Sequence, residues 1–233
     1  MRLIQKRNEP QSLRQWRATH QNDPNYGYAL IDARLRAEIR QALAAEQGGL
    51  CAYTGCRIDK ASCHIEHPKP QVHCARGDDV SFGNMLACVP APNTPRLPYG
   101  AHKKDSWPDT AQEQLFVSPL RNCCGTRFSF SLRGEINPSN PADDAAKETI
   151  CRIGLDHPLL NQFRKAAIDA TLSVHRRGPA SLDLKSARRR ITSLSMAEQR
   201  NEILEPFCFV LQQALEKHIK RLQAIRNSQR VPK

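Results

Sequence analysis

The sequence predicts a mainly helical α+β fold, on the strength of three patterns. Apolar residues recur at helical spacing toward both ends of the chain, a stretch over 50–108 has no period and gathers ligand-type residues, and a short alternating run follows it. Residues 1–25 are polar and broken by Pro10, Pro24 and Asn25, which predicts an extended arm. A helix follows over 28–47. Ile31, Leu35, Ile39 and Leu43 share one face, Arg34, Arg36 and Arg40 lie mostly outside it, and Gly48-Gly49 supplies the stop.

The stretch 50–108 holds five of the nine cysteines and four of the eight histidines, together with many prolines. Next, Phe128, Phe130 and Leu132 alternate with Arg127, Ser129 and Ser131; Arg133-Gly134 makes a turn and Ile136 returns, which predicts a hairpin. Helices are expected over 142–153 and 157–177, the second carrying Leu159, Leu160, Phe163, Ala167 and Ile168. A last one runs from Met196 to about 226, with Ser195 and Glu198 in the form of a capping box and Pro206 kinking or dividing it. The chain divides into an arm and helix (1–49), a ligand-rich core (50–110), and a hairpin with helices packed on that core (111–233).

Thirty-five Lys and Arg against 23 Asp and Glu leave a net charge of +12, an excess that favours contact with phosphate backbones. The first residues lack the apolar core of an export signal, and no run approaches the ~18 apolar residues of a membrane span. An odd number of cysteines without an export signal fits a reducing compartment, so a cytoplasmic protein with no membrane partner is expected.

The word Cys63-His64-Ile65-Glu66-His67-Pro68 carries the chemistry. Successive side chains of a strand point to opposite faces, so Glu66 and His67 serve one site only where the strand ends. Pro68 marks that end, since it donates no backbone hydrogen bond and keeps His67 extended. Phosphodiester hydrolysis needs a base and a hard cation against phosphate charge. Histidine suits the first at neutral pH, and a carboxylate with an imidazole suits the second. Asn84 lies 17 residues after His67, and His102 a further 18 on, followed by Lys103 and Lys104, which are placed to hold substrate phosphate.

Four ordered words, Cys51-Ala-Tyr-Thr-Gly55, His64-Ile-Glu-His67-Pro-Lys69-Pro, Gly83-Asn84-Met-Leu86 and Tyr99-Gly-Ala-His102-Lys103, resemble the HNH endonucleases of bacterial retron and Septu-type anti-phage defence systems. The likeness continues in Phe116-Val-Ser-Pro-Leu120, Arg127-Phe-Ser-Phe130 and Arg152-Ile-Gly-Leu155-Asp-His-Pro158, covering roughly 50–160. The resemblance implies a central ββα-metal motif, two strands and a helix around one divalent ion, Mg²⁺ or Mn²⁺. It implies His67 as general base, Glu66 as acidic metal ligand in place of the usual aspartate, Asn84 as the loop-bracing asparagine and His102 as the final metal ligand. The interval from Asn84 to His102 is longer than in compact HNH units, which makes Asn93 a rival for the third position. DNA is the expected substrate ahead of RNA. The implied partners are an ABC- or SMC-like ATPase and, in a retron, a reverse transcriptase with its multicopy single-stranded DNA. A catalytically idle HNH-like subunit that binds nucleic acid or scaffolds a complex is the alternative.

Many HNH units hold a structural zinc on two C-x-x-C pairs. Here the first pair is broken by Thr54, and the partner of Cys88 is missing near Tyr99. Cys51, Cys56 and Cys88, with Cys63 or Cys74 as a fourth, form the lesser reading of a zinc site. Buried thiols are the preferred one. Arg188-Arg189-Arg190 reads as a solvated helix face before it reads as a phosphate grip. The stripe through Ile203, Leu204, Phe207, Val210, Leu211, Leu215, Ile219, Leu222 and Ile225 either packs on the helices of 28–47 and 157–177 or docks a partner.

Overall fold

Pro10 precedes a helix where the sequence predicts an extended arm: Gln11–His20 form α1 in the computed structural model, which describes residues 1–175, 179–200 and 202–228. This helix buries one residue, Leu13, so it has no apolar stripe to read, and Arg17 pairs with Glu9 at 2.5 Å across its start. The first residues lie on the body, with Met1 and Ile4 buried and Lys6 bonded to the buried Glu46 at 2.6 Å.

Asp32 caps α2 (Ala33–Glu46) by accepting the Leu35 N–H at 2.8 Å. The expected face holds, with Leu35, Ile39 and Leu43 buried, but Tyr28–Leu30 form a separate 3-10 turn. Gly48 and Gly49 follow at φ 64° and 72°, the left-handed stop that glycine accepts without strain. Beyond it, the buried Gln47 side chain donates to the carbonyls of Leu50 (2.7 Å) and Ala87 (2.8 Å) and accepts the Ala87 N–H (2.7 Å). One amide thus fastens α2 to the strand that follows and satisfies groups that would be costly to bury unpaired.

In the ligand-rich stretch, β1 (His64–Glu66) pairs antiparallel with β2 (Leu86–Cys88), Glu66 opposite Leu86, and a single helical turn, α3 (Ala101–Lys104), follows. The Gly100 N–H donates to the Ile153 carbonyl at 2.7 Å, pinning α3 to a later helix.

The hairpin forms as expected from β3 (Phe128–Phe130) and β4 (Ile136–Pro138), with Gly134 at φ 81° in the turn and Leu132 outside the strands. α4 (Asp144–Ile153) is capped by Asp143 and stopped by Gly154. α5 (Pro158–Leu172) is shorter than expected: Ser173–His175 (β5) leave it to pair with Pro179–Ser181 (β6), and the rest of the expected helix, 176–178, lies outside the described residues. Of its five expected core residues Leu160 and Ile168 are fully buried, whereas Leu159 and Phe163 are exposed.

Ser195 and Glu198 sit inside α6 (Leu184–Gln199), so the expected capping box is not a helix start. The helix already runs from Asp183, which supplies the cap at the Ser186 N–H. Pro206 does divide the chain, and α7 (Cys208–Ser228) begins just after it. Val210, Leu211 and Leu215 of its stripe are buried, and α7 packs mainly on α6, α5 and β3. Gln213 completes the hairpin edge, donating to the Phe128 carbonyl at 2.9 Å. The middle of that stripe, from Leu204 to Leu215, is core, whereas Ile203 and Ile225 at its ends are exposed. Among the described residues, helices and three small antiparallel sheets make the fold α+β. Among the described residues no helix is long and apolar enough to cross a membrane.

Candidate active site

Strand alternation sorts the HIEH word. His64 and Glu66 share the accessible face of β1, and Ile65 is buried behind it. Immediately after the strand, His67 turns into the wall of a cleft of about 280 Å³ whose lining also includes Glu66, Gln71, Val72, Asp105 and Ser106.

His67 is 6% exposed and fully engaged. Its Nε2 lies 2.9 Å from the Asp79 carbonyl, which only accepts, so Nε2 carries the proton and Nδ1 keeps the lone pair. The exposed Gln71 amide donates to Nδ1 at 3.2 Å. Tyr28 packs edge-on against the ring with centroids 4.9 Å apart, and the Tyr28 N–H holds the Asp79 carboxylate at 2.7 Å. Burial pushes the imidazole pKa below its ordinary value, against the Asp79 carbonyl and the Glu66 charge, which pull it up.

Asn84 sits on the 3-10 turn before β2 and clamps the chain just beyond His67. It accepts the Lys69 N–H at 2.9 Å and donates to the Lys69 carbonyl at 3.0 Å. It touches the loop and not the cleft.

Glu66 departs most from the sequence reading in its company. Its Oε1 lies 2.9 Å from Lys104 Nζ and 3.2 Å from the Tyr53 hydroxyl. Lys104 is 2% exposed, and its ammonium also reaches the His67 carbonyl at 3.0 Å. Lys104 is therefore not on the surface to meet phosphate: the turn of α3 aims it inward, at the carboxylate. Lys103 is exposed and lies along Gly154, where a Cβ would meet its Cδ at 2.7 Å. Asn93 is exposed in the loop after β2, at φ 61°, and does not line the cleft.

His102 stacks on His64, centroids 5.2 Å apart. The two rings are held as opposite tautomers. His64 Nδ1 donates to the Pro90 carbonyl at 2.7 Å, leaving the Nε2 lone pair available, the arrangement by which ligating histidines are usually oriented. His102 Nδ1 accepts the Leu97 N–H at 3.2 Å, so its neutral ring carries the proton on Nε2. As held, His102 offers a donor and His64 a ligand. Burial lowers the His102 pKa, and the neighbouring His64 and Arg96 lower it further. His64 had a readable signal, since residues two apart on a strand share a face with the carboxylate between them in sequence.

Among the described residues no three His, Cys, Asp or Glu side chains are grouped as a metal cage. The donors on the face of β1 are one carboxylate and one imidazole nitrogen. That set fits a divalent ion that keeps several waters, as Mg²⁺ does. Cys51 and Cys88 are buried side by side, and Cys56 is half-buried on the same turn. Burial raises the Cys51 thiol pKa, but hydrogen bonds from Cys88 and Thr54 outweigh it and bring it down to about 6.

The end of β1 thus brings a histidine and a carboxylate to one cleft. No family model matches the chain. It is similar, at 26% identity over 143 residues, to a protein of Vibrio cholerae serotype O1 biovar El Tor named "Retron Vc95 putative HNH endonuclease". The match covers 58% of this chain and 66% of that relative, just under two thirds of its length. The likeness supports an HNH endonuclease reading of this chain.

Proposed function

We propose that this chain is a metal-dependent HNH endonuclease that hydrolyses phosphodiester bonds of nucleic acid, DNA ahead of RNA. The observation that carries the reading is the His67 tautomer: the Asp79 carbonyl fixes the proton on Nε2 and turns the basic Nδ1 to the Gln71 side of the cleft that Glu66 also lines. A neutral imidazole so oriented accepts a proton from water at Nδ1. Gln71 holds that hydrogen-bond position in the free protein and, being exposed, is free to give way. Asn84, through Lys69, and Tyr28, through Asp79, keep the ring in place.

Glu66 Oε2 and His64 Nε2 are the groups that would hold Mg²⁺ or Mn²⁺, with His102 Nε2–H beside them as a donor toward phosphate. When bound, the ion supplies positive charge against the phosphate oxygens. The structural zinc on Cys51, Cys56 and Cys88 forms no part of this reading.

The biological setting follows the same likeness. The chain acts as effector of an anti-phage system with an ABC- or SMC-like ATPase. A retron, with its reverse transcriptase and multicopy single-stranded DNA, is preferred over Septu because the V. cholerae relative carries the retron name. One observation favours the idle-subunit alternative: Lys104 already neutralises Glu66. Cleavage of plasmid and of transfer RNA by the purified protein, in EDTA and then with Mg²⁺ or Mn²⁺ restored, decides. Metal-restored cutting that His67→Ala removes is expected. Binding without cutting under every metal would leave the idle subunit.

A further inference from the structure

The outer face of α6 carries Lys185, Arg188, Arg189 and, at its end, Arg200; with Arg226 from the end of α7 they line a groove of about 960 Å³. The groove shares no residue with the His67 cleft. From Lys185 to Arg200 the helix rises about 22 Å. Among the described residues the side chains of Lys185, Arg188, Arg189 and Arg226 make no ion pair, and the lone contact of Arg200 is Glu202 at 3.8 Å. The other carboxylate, Asp183, is occupied in capping the helix at Ser186. Arg190 is not part of the row, because it turns to Glu205.

Resting on the nuclease reading, we infer that this groove is a second nucleic-acid contact, which takes the sugar–phosphate backbone of a strand extending beyond the hydrolytic cleft. The rim is dominated by cationic donors. Guanidinium forks match phosphate oxygens bidentately, and the Ser193 and Thr192 hydroxyls beside them belong to the same class of backbone contact. An acidic amphipathic helix is the other polyanion to weigh, and it needs a continuous apolar floor. Here Leu184 at one end and Met196 with Ala197 at the other give the groove apolar surface, but the two ends are about 18 Å apart along the helix, and Lys185, Arg188, Arg189 and Thr192 stand between them. A row of cations that interrupts the apolar surface fits a repeating phosphate.

The test uses the full chain in EDTA, so that cleavage does not intervene. Binding of a short labelled single-stranded DNA is followed by anisotropy across salt concentrations for three proteins: the wild type, a Lys185→Ala/Arg188→Ala/Arg189→Ala/Arg226→Ala variant, and an Arg34→Ala/Lys60→Ala/Arg121→Ala/Arg133→Ala control that removes equal charge elsewhere. The groove variant should bind at least tenfold more weakly at low salt, with a log–log salt slope reduced by about 0.7 per lost contact, while its thermal melt is unchanged. The control should keep most of the wild-type slope. A groove variant with the wild-type slope, or a control that loses as much, overturns the proposal. So does a groove that prefers polyglutamate to the oligonucleotide. Metal-dependent hydrolysis of bis(p-nitrophenyl) phosphate, measured in parallel, reports on the cleft alone. Its absence in the wild type would sink the nuclease reading while the salt slopes still decide the groove.

Discussion

Lys104 Nζ lies 2.9 Å from Glu66 Oε1, with the lysine side chain wholly buried and the carboxylate side chain 12% exposed. Removing one partner of such a pair leaves a charge without compensation, which typically costs about 3–5 kcal/mol. Lys104→Met should therefore lower stability by about 3 kcal/mol in urea unfolding. Adding Glu66→Gln should recover part of that loss, a coupling of about 1 kcal/mol or more. A surface lysine would cost under about 0.5 kcal/mol with no coupling, which is the outcome expected had Lys104 been a phosphate ligand.

His67→Ala should lower the cleavage rate by about 10²–10⁴, the usual loss on removing a general base. Because the ring is buried against Tyr28, the same change should also cost about 1–3 kcal/mol of stability. His67→Gln, which retains more of the side chain, separates the two effects. It should melt closer to the wild type and still fail to cut.

The pH dependence follows from burial of the same ring. The folded His67 pKa lies below the ordinary value of about 6.5, so between the two values the unfolded chain binds the extra proton and the folded one does not. Stability from this group is therefore fully present above about pH 6.5 and is lost as pH falls through that window. The base also stays neutral there. The acid limb of kcat/KM should have its midpoint below about 6.5. A midpoint above 7 would point to another base.

Much of this was legible. Periodicity located the α2 stripe and the Phe128–Ile136 hairpin because both bury a regular face. It missed α1, which buries only Leu13, and α6, where the arginine run obscures Ala187 and Leu194. The Ser195–Glu198 pattern misled because a cap is read locally, whereas a helix already under way ignores it. At the site, Glu66 and His67 lie at a strand end that Pro68 marked. The inward turn of Lys104 was not readable, since lysines are almost never fully buried unless paired and its partner is a tertiary neighbour. The roles of His64 and His102 depend on which carbonyl or N–H each ring meets, and sequence does not carry that.

Asn84 tests whether the loop matters through His67. Asn84→Ala removes both bonds to Lys69, which should cost about 1–3 kcal/mol and raise hydrogen exchange over 68–80. If the loop positions the ring, kcat falls with little change in KM, and the acid limb drifts toward 6.5 as His67 becomes more solvated. Asn84→Asp keeps the acceptor for the Lys69 N–H and should fall between. An unchanged pH profile with lowered stability would make Asn84 structural only.

The two stacked histidines give the sharpest test of the metal reading, because their tautomers predict opposite outcomes. His64 presents a lone pair at Nε2, and His102 presents a proton there. His64→Ala should weaken Mn²⁺ binding, measured by calorimetry without substrate, by about 10-fold or more. His102→Ala should leave that affinity within about a factor of two and instead weaken oligonucleotide binding once the metal is present. Glu66→Gln should reduce Mn²⁺ affinity at least as much as His64→Ala, since it removes the only carboxylate on that face of β1. If His102→Ala abolishes metal binding and His64→Ala does not, the Leu97 N–H must give way in the loaded protein, and the ring that the sequence resemblance selects is the ligand after all.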